Sequence, residues 1–126
     1  MTRYLISFDE GAMDHISAED LPDVGRASHE VLREAVNAGV WVFGGGLERQ
    51  IASIVATDGT IMDGPYPETK EHIGGFAVVD VPSRDEALKW AAKIAAACRC
   101  AQEVRELGAD AEQDALLREA DRRRAV

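Results

Sequence analysis

The run "GGFAVVDVPSRDEALKWAAKI", residues 74–94, decides the fold. Its first eight residues are almost continuously apolar (Phe76, Ala77, Val78, Val79, Val81), which predicts a buried strand. Ser83, Arg84, Asp85 and Glu86 then have the spacing of a capping box, the hydroxyl and carboxylate that open a helix. Behind it Ala87, Ala91, Ile94 and Cys98 recur on one face, with Leu88 and Ala95 adjoining and Trp90 on the edge of the stripe. The chain therefore changes from strand to helix within three residues, and the same alternation repeats upstream.

Residues 3–9 (RYLISFD) alternate around Tyr4, Ile6 and Phe8 and predict a strand. Ser17 to Asp20 has capping-box spacing, with Asp in the last place. Leu21, Val24, Ser28, Val31 and Ala35 follow at helical spacing, with Leu32 and Val36 beside them. Pro22 is tolerated in the first turn, and Gly39 ends the helix. VWVFGG (40–45) predicts a strand in the interior of a sheet. Residues 51–57 and 60–63 predict a hairpin about Asp58-Gly59. Downstream, residues 100–107 predict a last strand, in which Val104 breaks the alternation. Residues 110–124 predict an added helix, acidic at its start and arginine-rich at its end, as the helix dipole favours.

The order β-α-β-hairpin-β-α-β-α predicts an α+β fold, a ferredoxin-like split β-α-β sandwich with an extra C-terminal helix. The domain spans residues 1–107, and 108–126 form a helical extension. Two helices cover one face of the sheet. The other face is apolar in part and is left to a second copy, so a homodimer through the open sheet face is expected.

Composition narrows the function. The 126 residues suit one domain with one core. A formal charge of −9, from 14 basic and 23 acidic residues, repels phosphate backbones and argues against nucleic acid. No apolar run approaches the roughly 20 residues of a membrane helix. The opening MTRYLISFDE lacks the apolar region of a signal peptide, so cytoplasm is the expected location. Cys98 and Cys100 stand as an isolated C-x-C pair, without the second pair a zinc site needs, and are read as structural. No metal or organic cofactor is expected.

The polar stretch Asp63 to Phe76, DGPYPETKEHIGGF, holds most of the candidate site. Asp63 precedes Gly64-Pro65 and reads either as a general base at a pocket mouth or as a turn acceptor for backbone amides. Glu68, Lys70 and Glu71 alternate in charge. Lys70 would bind an anionic group while an acid moves a proton, or all three form a solvated loop. His72 is placed to shuttle protons near neutral pH or is simply exposed. Gly74-Gly75 suggests a bulge or close backbone approach. Gly44-Gly45-Gly46 is similar, and no P-loop lysine follows it. The aromatics Tyr4, Phe8, Trp41, Phe43 and Phe76 read as core or dimer packing, whereas Tyr66 sits inside the polar stretch.

That stretch also resembles a family signature. Asp63, Gly64, Pro65, Glu68, Lys70, Glu71, Gly74, Gly75 and Phe76 match the DGPF group of YCII-related proteins, with Tyr66 in place of the phenylalanine. The resemblance runs from about residue 3 to 107. It implies a ferredoxin-like subunit in a dimeric α/β barrel. The wider superfamily includes isomerases, monooxygenases and dehalogenating enzymes, and some members of the group are associated with sigma factors. Relatives of the YCII type carry a helix histidine as half of a His–Asp pair. That position falls on Ser28 here, with His29 one residue away, about 100° round the helix. Ser28 then reads as a core hydroxyl or a pocket group, and His29 as a surface residue or a base.

Two functions follow. One is a cofactor-independent enzyme that moves protons on a small polar molecule, with Asp63 as base and Lys70 or His29 orienting. Tyr66, Glu68, Glu71, His72 and Ser28 would line its site. The other is a non-catalytic ligand-binding or regulatory module, tied by the resemblance to a sigma factor.

Overall fold

A computed structural model describes residues 1–64 and 72–125. The elements run β1 (Thr2–Asp9), α1 (Leu21–Asn37), β2 (Trp41–Gly46), β3 (Ser53–Val55), β4 (Ile61–Asp63), β5 (Ile73–Val81), α2 (Arg84–Cys98), β6 (Glu103–Glu106) and α3 (Ala111–Arg124). β2, β5, β1 and β6 form a four-stranded sheet in that order, and every neighbouring pair is antiparallel. With the hairpin set aside, this order is compatible with a ferredoxin-like fold. Among the described residues no helix is long and apolar enough to cross a membrane.

Strand alternation decides what is buried. On β5, Gly75, Ala77, Val79 and Val81 face inward in steps of two. Tyr4 and Ile6 stand opposite Val79 and Ala77 on the same face. These residues meet Ala87 and Ala91 of α2 in the core, and Trp90, Ile94, Trp41 and Val104 pack round it. Val104 is register partner to Ile6, so the break in alternation at this position serves the core face.

Local signals set the helix ends. Ser83 accepts the amide of Glu86 at 3.2 Å, so the predicted cap forms. Ser17 does not cap α1. Its hydroxyl accepts the Asp20 amide at 3.3 Å in a turn before the helix, and Asp20 itself occupies the N-cap. Gly39, at φ 74°, closes α1 in the left-handed region that favours glycine.

Three expectations are corrected. β2 is an edge strand, paired only with β5 within the sheet, although its apolar run predicted an interior position. Its apolar outer side chain is Phe43, 66% exposed on the face away from the helices. The hairpin forms, but as a separate two-stranded sheet with three-residue strands. Its turn is one residue longer than a two-residue loop. Ala56 accepts the Gly59 amide and donates to Thr60, with Gly59 at φ 87°. The last strand starts at Glu103, because Arg99 takes the left-handed conformation and swings Cys100 to Gln102 out of register.

α3 has no buried residue. Arg3 Nη1 reaches Asp114 at 3.6 Å, and Arg3 Nε lies 3.9 Å from Asp80. Exposed pairs of this kind contribute at most about 1 kcal/mol.

Candidate functional site

α1 rests on α2 and meets the sheet at β2. Lys93 with Glu34 (3.0 Å) and Arg99 with Asp20 (3.1 Å) tie the two helices at their surfaces. Between α1, α2 and the sheet lies a cavity of about 540 Å³. That volume falls within the range of small-molecule sites.

Two aromatic rings lie over two glycines to form its floor. A methyl group on Gly75 would stand 2.4 Å from Cζ of Phe8, so the Phe8 ring covers that glycine. A methyl on Gly44 would stand 3.0 Å from Cη2 of Trp41 and only 2.4 Å from the Phe76 carbonyl oxygen. Gly44 therefore allows both the close approach of β2 to β5 and the seating of the indole. Trp90, Ile94 and Cys98 of α2 also line it.

The polar groups in the wall are few. Ser28 and His29 of α1 both line the cavity, as does Gln102. The Ser28 hydroxyl donates to the Gly25 carbonyl at 2.9 Å and keeps its lone pairs for another donor. Among the described residues the lining holds no Asp, Glu, Lys or Arg. Burial, and then the neighbouring Cys100, push the Cys98 thiol above the ordinary cysteine range, so it stays neutral at physiological pH.

A second cavity, about 610 Å³, adjoins the first. Phe8, Met13 and Gly46 line both. The segment from Glu10 to Asp14 and the segment from Gly46 to Ala52 wall it, together with His72, Ile73 and Gly74. Backbone bonds from Glu10 to the His72 carbonyl (2.7 Å) and from Leu47 to the Gly74 carbonyl (2.9 Å) fix these segments to β5, and Arg49 pairs with Asp14.

The sequence candidates thus divide. Ser28, half-buried, and His29, exposed, both line the first cavity, and His72 lines the second. Asp63 is exposed at the end of β4 and lines neither. The Gly64 amide behind it donates to the Ala52 carbonyl at 2.6 Å. Tyr66, Glu68, Lys70 and Glu71 lie outside the described residues. Among the described residues no carboxylate hydrogen-bonds to the His29 ring, and no group of three or more His, Cys, Asp or Glu side chains is placed to hold a metal.

Sequence reasoning assigned Phe8 and Trp41 to packing and did not single out Gly25. The available signal was a glycine in the interior of α1, where it lowers helix stability.

Residues 5–107 match the YCII-related domain. The chain belongs to the YCII-related family. No curated protein matches it. The family match covers every strand of the main sheet except the first residues of β1, both helices that wall the cavity, and none of α3.

Proposed function

We propose that this YCII-related protein binds a small molecule in the cavity beneath α1 and moves a proton on it without a cofactor, with His29 as acid or base and Ser28 as an orienting hydrogen-bond partner. The observation that carries this reading is that both residues line a cavity whose wall holds no Asp, Glu, Lys or Arg among the described residues. An imidazole carries two ring nitrogens, one able to donate a hydrogen bond and the other to accept one, which suits it to hand a proton to a bound molecule or take one from it. Asp63, Tyr66, Glu68, Lys70, Glu71 and His72 keep the roles read for them from the sequence as a separate set of candidates that this cavity reading does not use. Their spacing also supports placement in the DGPF group.

The absence of a carboxylate on the His29 ring among the described residues favours a second reading, a binding module without turnover. A catalytic histidine is usually oriented by such a partner. Thermal-shift and NMR screening against a metabolite library tests both. Both readings expect ligands that raise the melting temperature and move α1 resonances, and the catalytic reading alone expects His29→Ala to remove turnover while leaving the fold intact. A library with no stabilising compound refutes both readings. Turnover retained in full by His29→Ala refutes only the catalytic one.

We propose further that two copies join through the sheet face away from the helices as a dimeric barrel. Phe43 and Phe76 stand there with ring centres 6.0 Å apart, beside Val78, and such an apolar patch suits an interface. Light scattering tests this. Phe43→Asp should halve the mass, and a wild-type mass of one chain refutes the dimer.

A further inference from the structure

The first cavity has a composition that selects among ligands, and this inference rests on reading it as a binding site. Its floor is two flat rings, Phe8 over Gly75 and Trp41 over Gly44. Its roof is α1, and there Gly25 stands in the helix interior. A methyl group on Gly25 would meet nothing within 4 Å, and its backbone has an ordinary helical φ. Neither close packing nor backbone geometry therefore requires glycine at this position. Gly46, where the cavity meets its neighbour, is likewise open on the side a methyl would occupy. Glycine in a helix interior is destabilising relative to alanine. What it provides here is room above an aromatic floor.

We infer that the cavity takes a neutral, flat, aromatic molecule carrying one hydroxyl or carbonyl, stacked over Phe8 and Trp41 with that group toward His29 and Ser28, and that Gly25 and Gly46 are the specificity-determining positions that admit it. Aromatic rings prefer offset stacking or edge contacts with such a floor. A carboxylate held between the half-buried Ser28 and the apolar lining would find no fixed cation among the described residues, and an unpaired charge moved out of water there is disfavoured. The single polar group is instead met by one imidazole and one hydroxyl.

The probes are β-naphthol and β-naphthoate, which share a ring system and differ in charge. Binding to the full chain is followed by tryptophan fluorescence and by amide chemical shifts of α1. β-Naphthol is expected to bind, and β-naphthoate to bind about tenfold or more weaker. Gly25→Val places a side chain in the open space and should weaken β-naphthol roughly tenfold, with a melting temperature equal to or above wild type. Gly25→Ala should raise the melting temperature. If neither probe binds and α1 resonances stay fixed, both the inference and the cavity as a ligand site are overturned. If β-naphthoate binds as well as β-naphthol, the neutral-ligand assignment is overturned while the site stands. If β-naphthol binds Gly25→Val as it binds wild type, the role of Gly25 is overturned. A Gly25→Val chain with a lowered melting temperature also overturns that role, because the space is then not open.

Discussion

Gly44→Ala and Gly45→Ala are adjacent, chemically identical substitutions with opposite expected outcomes. At Gly44 the new Cβ would lie 2.4 Å from the Phe76 carbonyl oxygen and 2.8 Å from Cα of Ala77, where ordinary contact begins at 3.4 Å. Both neighbours are backbone, so no side chain can swing away. β2 must lift off β5 by about 1 Å to relieve the overlap. Overpacking of this kind costs about 1–3 kcal/mol. Weakening the adjacent ladder bonds adds about 0.5–1.5 kcal/mol each. The smaller chain entropy of unfolded alanine returns only about 0.5–1 kcal/mol. The net expectation is destabilisation of about 2–4 kcal/mol. At Gly45 a methyl meets nothing within 4 Å, so only the entropy term remains, and the chain should gain up to about 1 kcal/mol. Urea unfolding followed by circular dichroism measures both, with the slope checked for equality between variants. Trp41 fluorescence should shift in the first variant, because its indole lies over Gly44. If Gly44→Ala proves as stable as Gly45→Ala at equal slope, the close approach of β2 to β5 described above is wrong.

Ile6 is fully buried at the centre of the sheet, and Ile6→Ala should cost about 2–5 kcal/mol in the same unfolding assay. The Thr60 hydroxyl, and after it the Thr60 amide that donates to Asp58 Oδ1 at 2.9 Å, hold the Asp58 carboxyl below the ordinary range. A lowered folded pKa contributes stability above the ordinary aspartate range and loses it as pH falls through the lowered value. NMR titration should show that order, and a carboxyl that titrates at or above the ordinary value contradicts it. Burial raises both thiols, Cys98 also through Cys100. Their labelling by a disulfide reagent in the folded chain should lag an unfolded control at slightly alkaline pH and catch up only as pH climbs past the ordinary thiol range. Any stability from keeping them neutral is present below that range and is lost above it. Truncation after Leu107 removes α3, which buries no residue, and should move the melting temperature by only a few degrees, on the order of 1 kcal/mol. Loss of folding on truncation would show that α3 belongs to the core.

The elements were legible because their signals are local. Ser83 with Glu86, Gly39 after α1, and the alternation of β1 and β5 each act within a few residues. What was not legible depends on the other end of the chain. β2 reads as an interior strand because Val40 to Phe43 are all apolar, yet nothing in those residues says that only β5 will pair with it. The site followed the same division. Ser28 and His29 stand out from the helical spacing and the resemblance, and both line the cavity, which leaves their role to the proposal above. The aromatic floor was hidden because Phe8 must cross to Gly75 and Trp41 to Gly44, and a sequence pattern cannot distinguish a ring that fills a core from one that floors a cavity.

The size of that cavity restricts what it can be. At roughly 24 cal/mol per Å³, a dry void of 540 Å³ would cost about 13 kcal/mol. A whole domain is stable by only about 5–15 kcal/mol. The space is therefore sustained in contact with solvent or ligand, and Ser28, His29 and Gln102 are side chains in its wall able to hydrogen-bond to water. The floor of Phe8 and Trp41 hydrogen-bonds to water poorly by comparison, so a flat apolar body gains most by replacing water there. A ligand held at a hundred times its dissociation constant would stabilise the fold by about 2.7 kcal/mol, a large fraction of the total. Helix stability alone would be better served by alanine at Gly25, because the methyl would clash with nothing and strengthen the helix. The glycine keeps the roof of the cavity open, and the fold is less stable for it.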